Sequence, residues 1–221
     1  AGAAECTRCD PGTYQSSRGQ TACEICIQGH YCIEGSPAAL PCPAGTHKDA
    51  TLIVMTSVHD CIICLPGTAC SIGSAEAIPC LPGSFSNQSG METCSQCQAG
   101  KFQRSNNQTA CEICIPGFYC EVGTAKPTPC AAGHYGNATG LHSGWQCKPV
   151  PIDFWAPLGN SVPKACPTSG FYCPGALQDE LYGGAEPILM PIGLSTRQMD
   201  APALTKAMTL DMSIDDFAAQ R

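Results

Sequence analysis

Gln20-Thr21-Ala22-Cys23-Glu24-Ile25-Cys26 and Gln108-Thr109-Ala110-Cys111-Glu112-Ile113-Cys114 are the same seven residues. Each continues with five residues to a cysteine (Cys32, Cys120) and nine more to another (Cys42, Cys130). A third copy opens at Cys61-Ile62-Ile63-Cys64 and reaches Cys70 and Cys80 on the same spacing. Three copies without a slip make an internal repeat, and cysteine is its punctuation.

Working outward, the chain holds 19 Cys in 221 residues, and all lie at or before Cys173. Aromatics make up 6%, whereas Gly and Pro number 23 and 19. That is too little large apolar mass for one ordinary core and too much turn chemistry. Cross-links must supply most of the stability, and disulfides persist in oxidising compartments. Each closed loop of about 15 residues is worth roughly 3 kcal/mol in the chain-entropy model. The formal net charge is −7 and no basic stripe exists, which argues against a nucleic-acid partner. No apolar run approaches the length that spans a bilayer; the longest, Leu52-Ile53-Val54-Met55, is strand-sized. The chain reads as a fragment or mature piece of a larger protein, with any secretion signal or anchor outside it.

Two kinds of interval recur. A longer one separates Cys9 and Cys23, Cys42 and Cys61, Cys80 and Cys94, Cys97 and Cys111, and Cys130 and Cys147. A tight one separates Cys26 and Cys32, Cys64 and Cys70, Cys114 and Cys120, and Cys166 and Cys173. Pairing along these intervals leaves Cys6 unpaired, in the place of a loop-closing cysteine whose partner would lie upstream. A crossed arrangement, such as Cys26 with Cys42, satisfies the same spacing. Gly follows most loop-opening cysteines, as in Pro11-Gly12 and Pro82-Gly83, and permits a tight turn. An aromatic stands two residues on at Tyr14, Phe85, Phe102 and Tyr135. One ring stacked on one disulfide is the expected core of each module, and each module is expected to contact mainly its neighbours.

A Cys-x-x-Cys-x-x-Gly-x-Tyr/Phe unit with a loop to the next Cys-x-x-Cys resembles the ephrin-receptor-like cysteine-rich repeat. It is also similar to cysteine-rich modules of tumour-necrosis-factor receptors and to EGF-like modules. The resemblance covers roughly residues 5–173 and implies a small disulfide-rich fold: an elongated extracellular array of short β-hairpin modules with little helix. It carries no function of its own. Gly45-Thr46-His47 and Gly67-Thr68-Ala69 lack the aromatic, and the interval from Cys42 to Cys61 is longer, so those modules are expected to pack differently.

The domain reading is therefore repeats over 1–147, a Pro/aromatic connector and last tight loop over 148–175, and a cysteine-free segment over 176–221. Within the last, Ile188-Leu189-Met190 and 209–212 read as strands, and Ser213 reads as the cap of a helix. These features predict the truncated start of an α+β domain.

Chemistry is sparse. The Cys-x-x-Cys pairs could ligate zinc, but their chaining through Gly/Pro-rich loops favours disulfides. The five histidines are scattered and no nucleophile stands near any of them. Neither catalysis, nor a metal, nor a cofactor is expected. Three sequons at Asn87, Asn107 and Asn137 fall in the larger loops and are candidate glycosylation sites. The expected role is a non-enzymatic stalk of a secreted or cell-surface protein that spaces its other domains. The alternatives are a receptor-type module gripping a protein ligand and a subunit of an extracellular filament.

Overall fold

The computed structural model describes residues 6–176 and 184–190. Among them the architecture is ten two-stranded antiparallel hairpins in chain order, each a separate sheet, with no α-helix. The first six pair Thr13–Tyr14 with Glu24–Ile25, His30–Tyr31 with Leu40–Pro41, Thr46–Lys48 with Cys61–Ile63, Thr68–Ala69 with Ile78–Pro79, Ser84–Phe85 with Ser95–Gln96, and Lys101–Phe102 with Glu112–Ile113. The last four pair Phe118–Tyr119 with Thr128–Pro129, His134–Tyr135 with Lys148–Pro149, Phe154–Trp155 with Lys164–Ala165, and Phe171–Tyr172 with Ile188–Leu189. The chain divides into two compact units, Ala1–Cys114 with Cys120–Pro127, and Ile115–Tyr119 with Thr128–Arg221.

A hairpin of two residues per strand is not stable alone. What holds it here is visible at its start. The first strand of each of the first nine hairpins follows a four-residue turn closed by a backbone bond, as in Thr13 N–H to the Asp10 carbonyl (3.0 Å) and Ser84 N–H to that of Leu81 (3.0 Å). The third turn residue has positive φ, which a type II turn requires. It is glycine in eight hairpins, whereas Asp153 fills the place in the ninth with φ 68. The turn's carbonyl then accepts the N–H of the residue after the second strand, as Gly67 accepts from Cys80 (2.9 Å).

Neighbouring hairpins are joined by a recurring set of backbone bonds. A turn N–H reaches the carbonyl just beyond the next hairpin's first strand: Gly12 to Cys32 (2.8 Å), Gly45 to Cys70 (2.7 Å), and, in the second unit, Gly117 to Gly136 (2.7 Å). A second bond runs from the residue after the first strand to the next hairpin's loop, as from Gln15 to Ser36 (3.2 Å) and from Gly136 to Asn160 (3.0 Å).

Contact also extends to the second neighbour, beyond the nearest-neighbour expectation. A Cβ on Gly29 of the second hairpin would sit 2.1 Å from the Gly73 carbonyl oxygen of the fourth. A Cβ on Gly45 of the third would sit 2.2 Å from that of Gly90 in the fifth. Backbone therefore lies directly on backbone, at a separation only glycine permits.

The core is mostly sulfur. Cys32, Cys42, Cys64, Cys70, Cys80 and Cys97 are among the cysteines with no exposed surface, whereas, among the described residues, Phe102 and Met55 are the only large side chains buried almost as deeply. Of the four rings expected as module cores, Phe102 is buried, whereas Tyr14, Phe85 and Tyr135 are only half-buried.

The stretch Leu52-Ile53-Val54-Met55 is not a strand. It belongs to the long third loop, where Met55 bridges Tyr31 and its carbonyl accepts the Cys32 N–H (3.1 Å). The two longest loops each end in a 3-10 turn, Val58–Asp60 and Gly144–Gln146, fixed by capping boxes from Ser57 with Asp60 and Ser143 with Gln146. Residues 148–175, read above as a connector, hold the second strand of the eighth hairpin, the whole ninth hairpin and the first strand of the tenth. Ile188–Leu189, expected to open the following segment, is instead the tenth hairpin's second strand. The strand at 209–212 and the helix after Ser213 lie outside the described residues.

Candidate functional site

The structure joins the cysteines as Cys9–Cys23, Cys26–Cys32, Cys42–Cys61, Cys64–Cys70, Cys80–Cys94, Cys97–Cys111, Cys114–Cys120, Cys130–Cys147 and Cys166–Cys173. Cys6 is free and exposed. The bridges take two forms. In the long form, the cysteine before the turn bonds the cysteine at the start of the second strand and encloses the loop. In the tight form it bonds the cysteine just after the first strand, six residues on in three of the four cases. The loop beyond the tight bridge then returns without a cross-link.

The ninth hairpin keeps the tight plan without the sulfur. Val150 stands before its turn and Ala156 just after its first strand, 2% and 0% exposed. The sequence carried a signal for this: Ala156 is followed by nine residues and Cys166, with Gly159 third, as in the three cysteine-bearing connectors.

Large aliphatic side chains stand exposed beside the bridges. Ile25, Ile63 and Ile113 occupy one equivalent position, the last residue of a long-form hairpin's second strand, and are 70%, 55% and 60% exposed. Trp145, in the second 3-10 turn, is almost wholly exposed. Such aliphatics repeat with the modules.

The polar groups serve structure. Asp60 accepts the N–H groups of Thr56 (2.7 Å) and Ser57 (3.0 Å), and these bonds hold its carboxyl below the usual carboxylate range. The Thr51 N–H (2.8 Å) does the same for Asp49. Tyr14 lies across the first hairpin from Glu24, whose hydrogen bond and charge raise its phenol above the ordinary value. Lys48 reaches the Leu52 carbonyl and closes the third loop from inside. A cleft of about 410 Å³ lies in the second unit against the Cys166–Cys173 bridge, lined by Phe154, Phe171, Tyr172 and Asp153 among others. Among the described residues no group of three or more His, Cys, Asp or Glu is placed to hold a metal ion. No helix among them is long and apolar enough to cross a membrane.

The three sequon asparagines are exposed. Asn107 is also a structural residue: at φ 58 it takes the loop place filled by glycine in other hairpins, and its N–H donates to the Cys80 carbonyl (3.0 Å).

No protein-family model matches the chain, and no curated protein matches its sequence. Class therefore rests on the fold: a disulfide-rich module of the extracellular or secreted kind, built as a tandem array of hairpins.

Proposed function

We propose that the chain is a non-enzymatic segment of a larger secreted or cell-surface protein, a stapled spacer of ephrin-receptor-like repeats that holds and presents neighbouring domains. The observation that carries this reading is the repetition of one backbone bond set from hairpin to hairpin, reinforced by contact with the second neighbour. A chain so joined resists bending within each unit, as a flexible linker cannot. The use of the sulfur agrees, since 18 of 19 cysteines are committed to bridges. Asn87, Asn107 and Asn137 are the places for glycan on such a surface, checked by the mass lost on enzymatic deglycosylation of secreted chain. The spacer is tested by electron spin labels at Thr13 and Lys101, both in the first unit. A single narrow distance distribution is expected; a broad one, like that of an unstructured linker, defeats the reading.

A second reading is favoured by the exposed Ile25, Ile63 and Ile113 with Trp145, which are the residue types of a protein-binding surface. In that case the labelled chain binds cells, and the Ile25→Asp, Ile63→Asp, Ile113→Asp variant loses binding while keeping its narrow distances. Equal binding by both chains removes this reading.

A further inference from the structure

Val150 and Ala156 occupy the seats of two half-cystines. Their separation equals that of Cys26–Cys32, Cys64–Cys70 and Cys114–Cys120. Their backbone groups make the equivalent bonds. Val150 N–H donates to the Gly133 carbonyl (2.9 Å) as Cys64 donates to Gly45 (3.0 Å). The Ala156 carbonyl accepts from Gly133 (2.7 Å) as that of Cys70 accepts from Gly45. Both side chains are as buried as the cystines they replace.

The consequence is mechanical. Tension along a cross-linked chain passes through the disulfide, so residues inside a closed loop carry none of it. From Cys9 to Cys173 every residue is described, and the stretches between closures can be read off. Long-form bridges leave two residues outside a closure, such as 95–96, and tight ones leave nine, such as 71–79. Between Cys147 and Cys166 lie 18 residues, 148–165, and they contain the eighth hairpin's second strand, Lys148–Pro149, and the whole ninth hairpin. Only non-covalent contacts hold this stretch: its own strand pairing and backbone bonds to the hairpins on either side, among them Val150 N–H to Gly133 (2.9 Å), Gly159 N–H to Cys130 (2.9 Å), Asp153 N–H to Cys173 (3.0 Å) and Ala156 N–H to Gly184 (2.8 Å). Its turn residue Asp153 bears the left-handed φ that glycine bears elsewhere, which weakens it further.

We propose that the ninth hairpin is a tension-yielding link: under load it opens and extends before the stapled hairpins, and it closes again when the load falls. The device follows from the placement of the bridges, and it holds whether the array is a spacer or a ligand-binding surface.

Pulling single chains between handles at Gln96 and Pro174, which leaves the unbridged return of the tenth hairpin out of the loaded path, tests it in non-reducing buffer and a Cys6→Ser background. Wild type should show a low-force, reversible step whose length is the extended contour of 18 residues, about 60 Å at about 3.3–3.6 Å each, less the span the stretch already has when folded. The Val150→Cys, Ala156→Cys variant should form a tenth disulfide, seen by intact mass. Its step should shorten by roughly a third and move to higher force. Amide exchange at Val150 and Cys166, faster in wild type than at Cys80, should slow in the variant. Three results would overturn the proposal: no step of this length below the force at which the nine-residue stretches yield, an unchanged step in a variant with the tenth bridge formed, or introduced cysteines that fail to bond.

Discussion

At the scale of the residue, the deciding atom is often one that is missing. Gly45 combines φ +82 with a neighbour's carbonyl oxygen 2.2 Å from where its Cβ would stand. Gly19 has φ +74 and nothing within 4 Å. The pair separates two costs that sequence cannot tell apart. Gly19→Ala bears only the left-handed backbone, about 1 kcal/mol. Gly45→Ala must also push the third and fifth hairpins apart, so its cost should exceed about 3 kcal/mol. Thermal unfolding under non-reducing conditions measures both, and equal losses would mean that the backbone approach is not holding the hairpins. The turn glycines were legible as turn formers from Pro11-Gly12 and its repeats. Their second task was not, because it depends on which loop arrives two hairpins later.

At the scale of the element, loop length follows the bridges and loop shape follows caps. The third loop is the longest between paired cysteines, with a separation of 19, and is organised by Asp60 through Thr56 and Ser57. The carboxyl of Asp60 is lowered by the Thr56 N–H first of all. A group with a depressed folded pKa contributes stability above its unfolded value and loses it as pH falls through the folded one. The Ser57–Asp60 turn should therefore persist at neutral pH and loosen only below about pH 4. Amide shifts of Thr56 and Ser57 followed against pH should move in that window; a transition between pH 5 and 8 would assign the turn to a histidine instead. Asp60→Asn should abolish the transition and leave the Cys42–Cys61 bridge formed. The box was readable in Ser57-Val58-His59-Asp60, yet it is a single short turn that the cysteine spacing does not mark. The same blindness hid the ninth hairpin: a reading keyed to cysteine passes over a hairpin whose half-cystines are Val150 and Ala156.

At the scale of the whole molecule, stability is local and additive, as in other repeat architectures. Each unit lacks a shared hydrophobic interior, so each bridge stabilises mainly its own hairpin and the hairpins beside it. Removing Cys80–Cys94, which closes a separation of 14, should cost about 3 kcal/mol, and removing Cys64–Cys70, with a separation of 6, about 2 kcal/mol. Double Cys→Ala variants compared by denaturant unfolding give the order. A larger loss from the tight bridge would show that burial of its sulfurs, both without exposed surface, outweighs loop entropy.

The cysteine spacing alone makes the chain a tandem, disulfide-rich array, because spacing is one-dimensional and can be read without any knowledge of contacts. It left connectivity open between sequential and crossed pairing, since both satisfy the same intervals. Only the tertiary structure decided which sulfurs meet, that hairpins touch their second neighbours as well as their first, and that an apolar pair can take a cystine's place. Those are facts about distances between residues far apart in the chain, and in a fold with almost no side-chain core they are set by backbone lying on backbone.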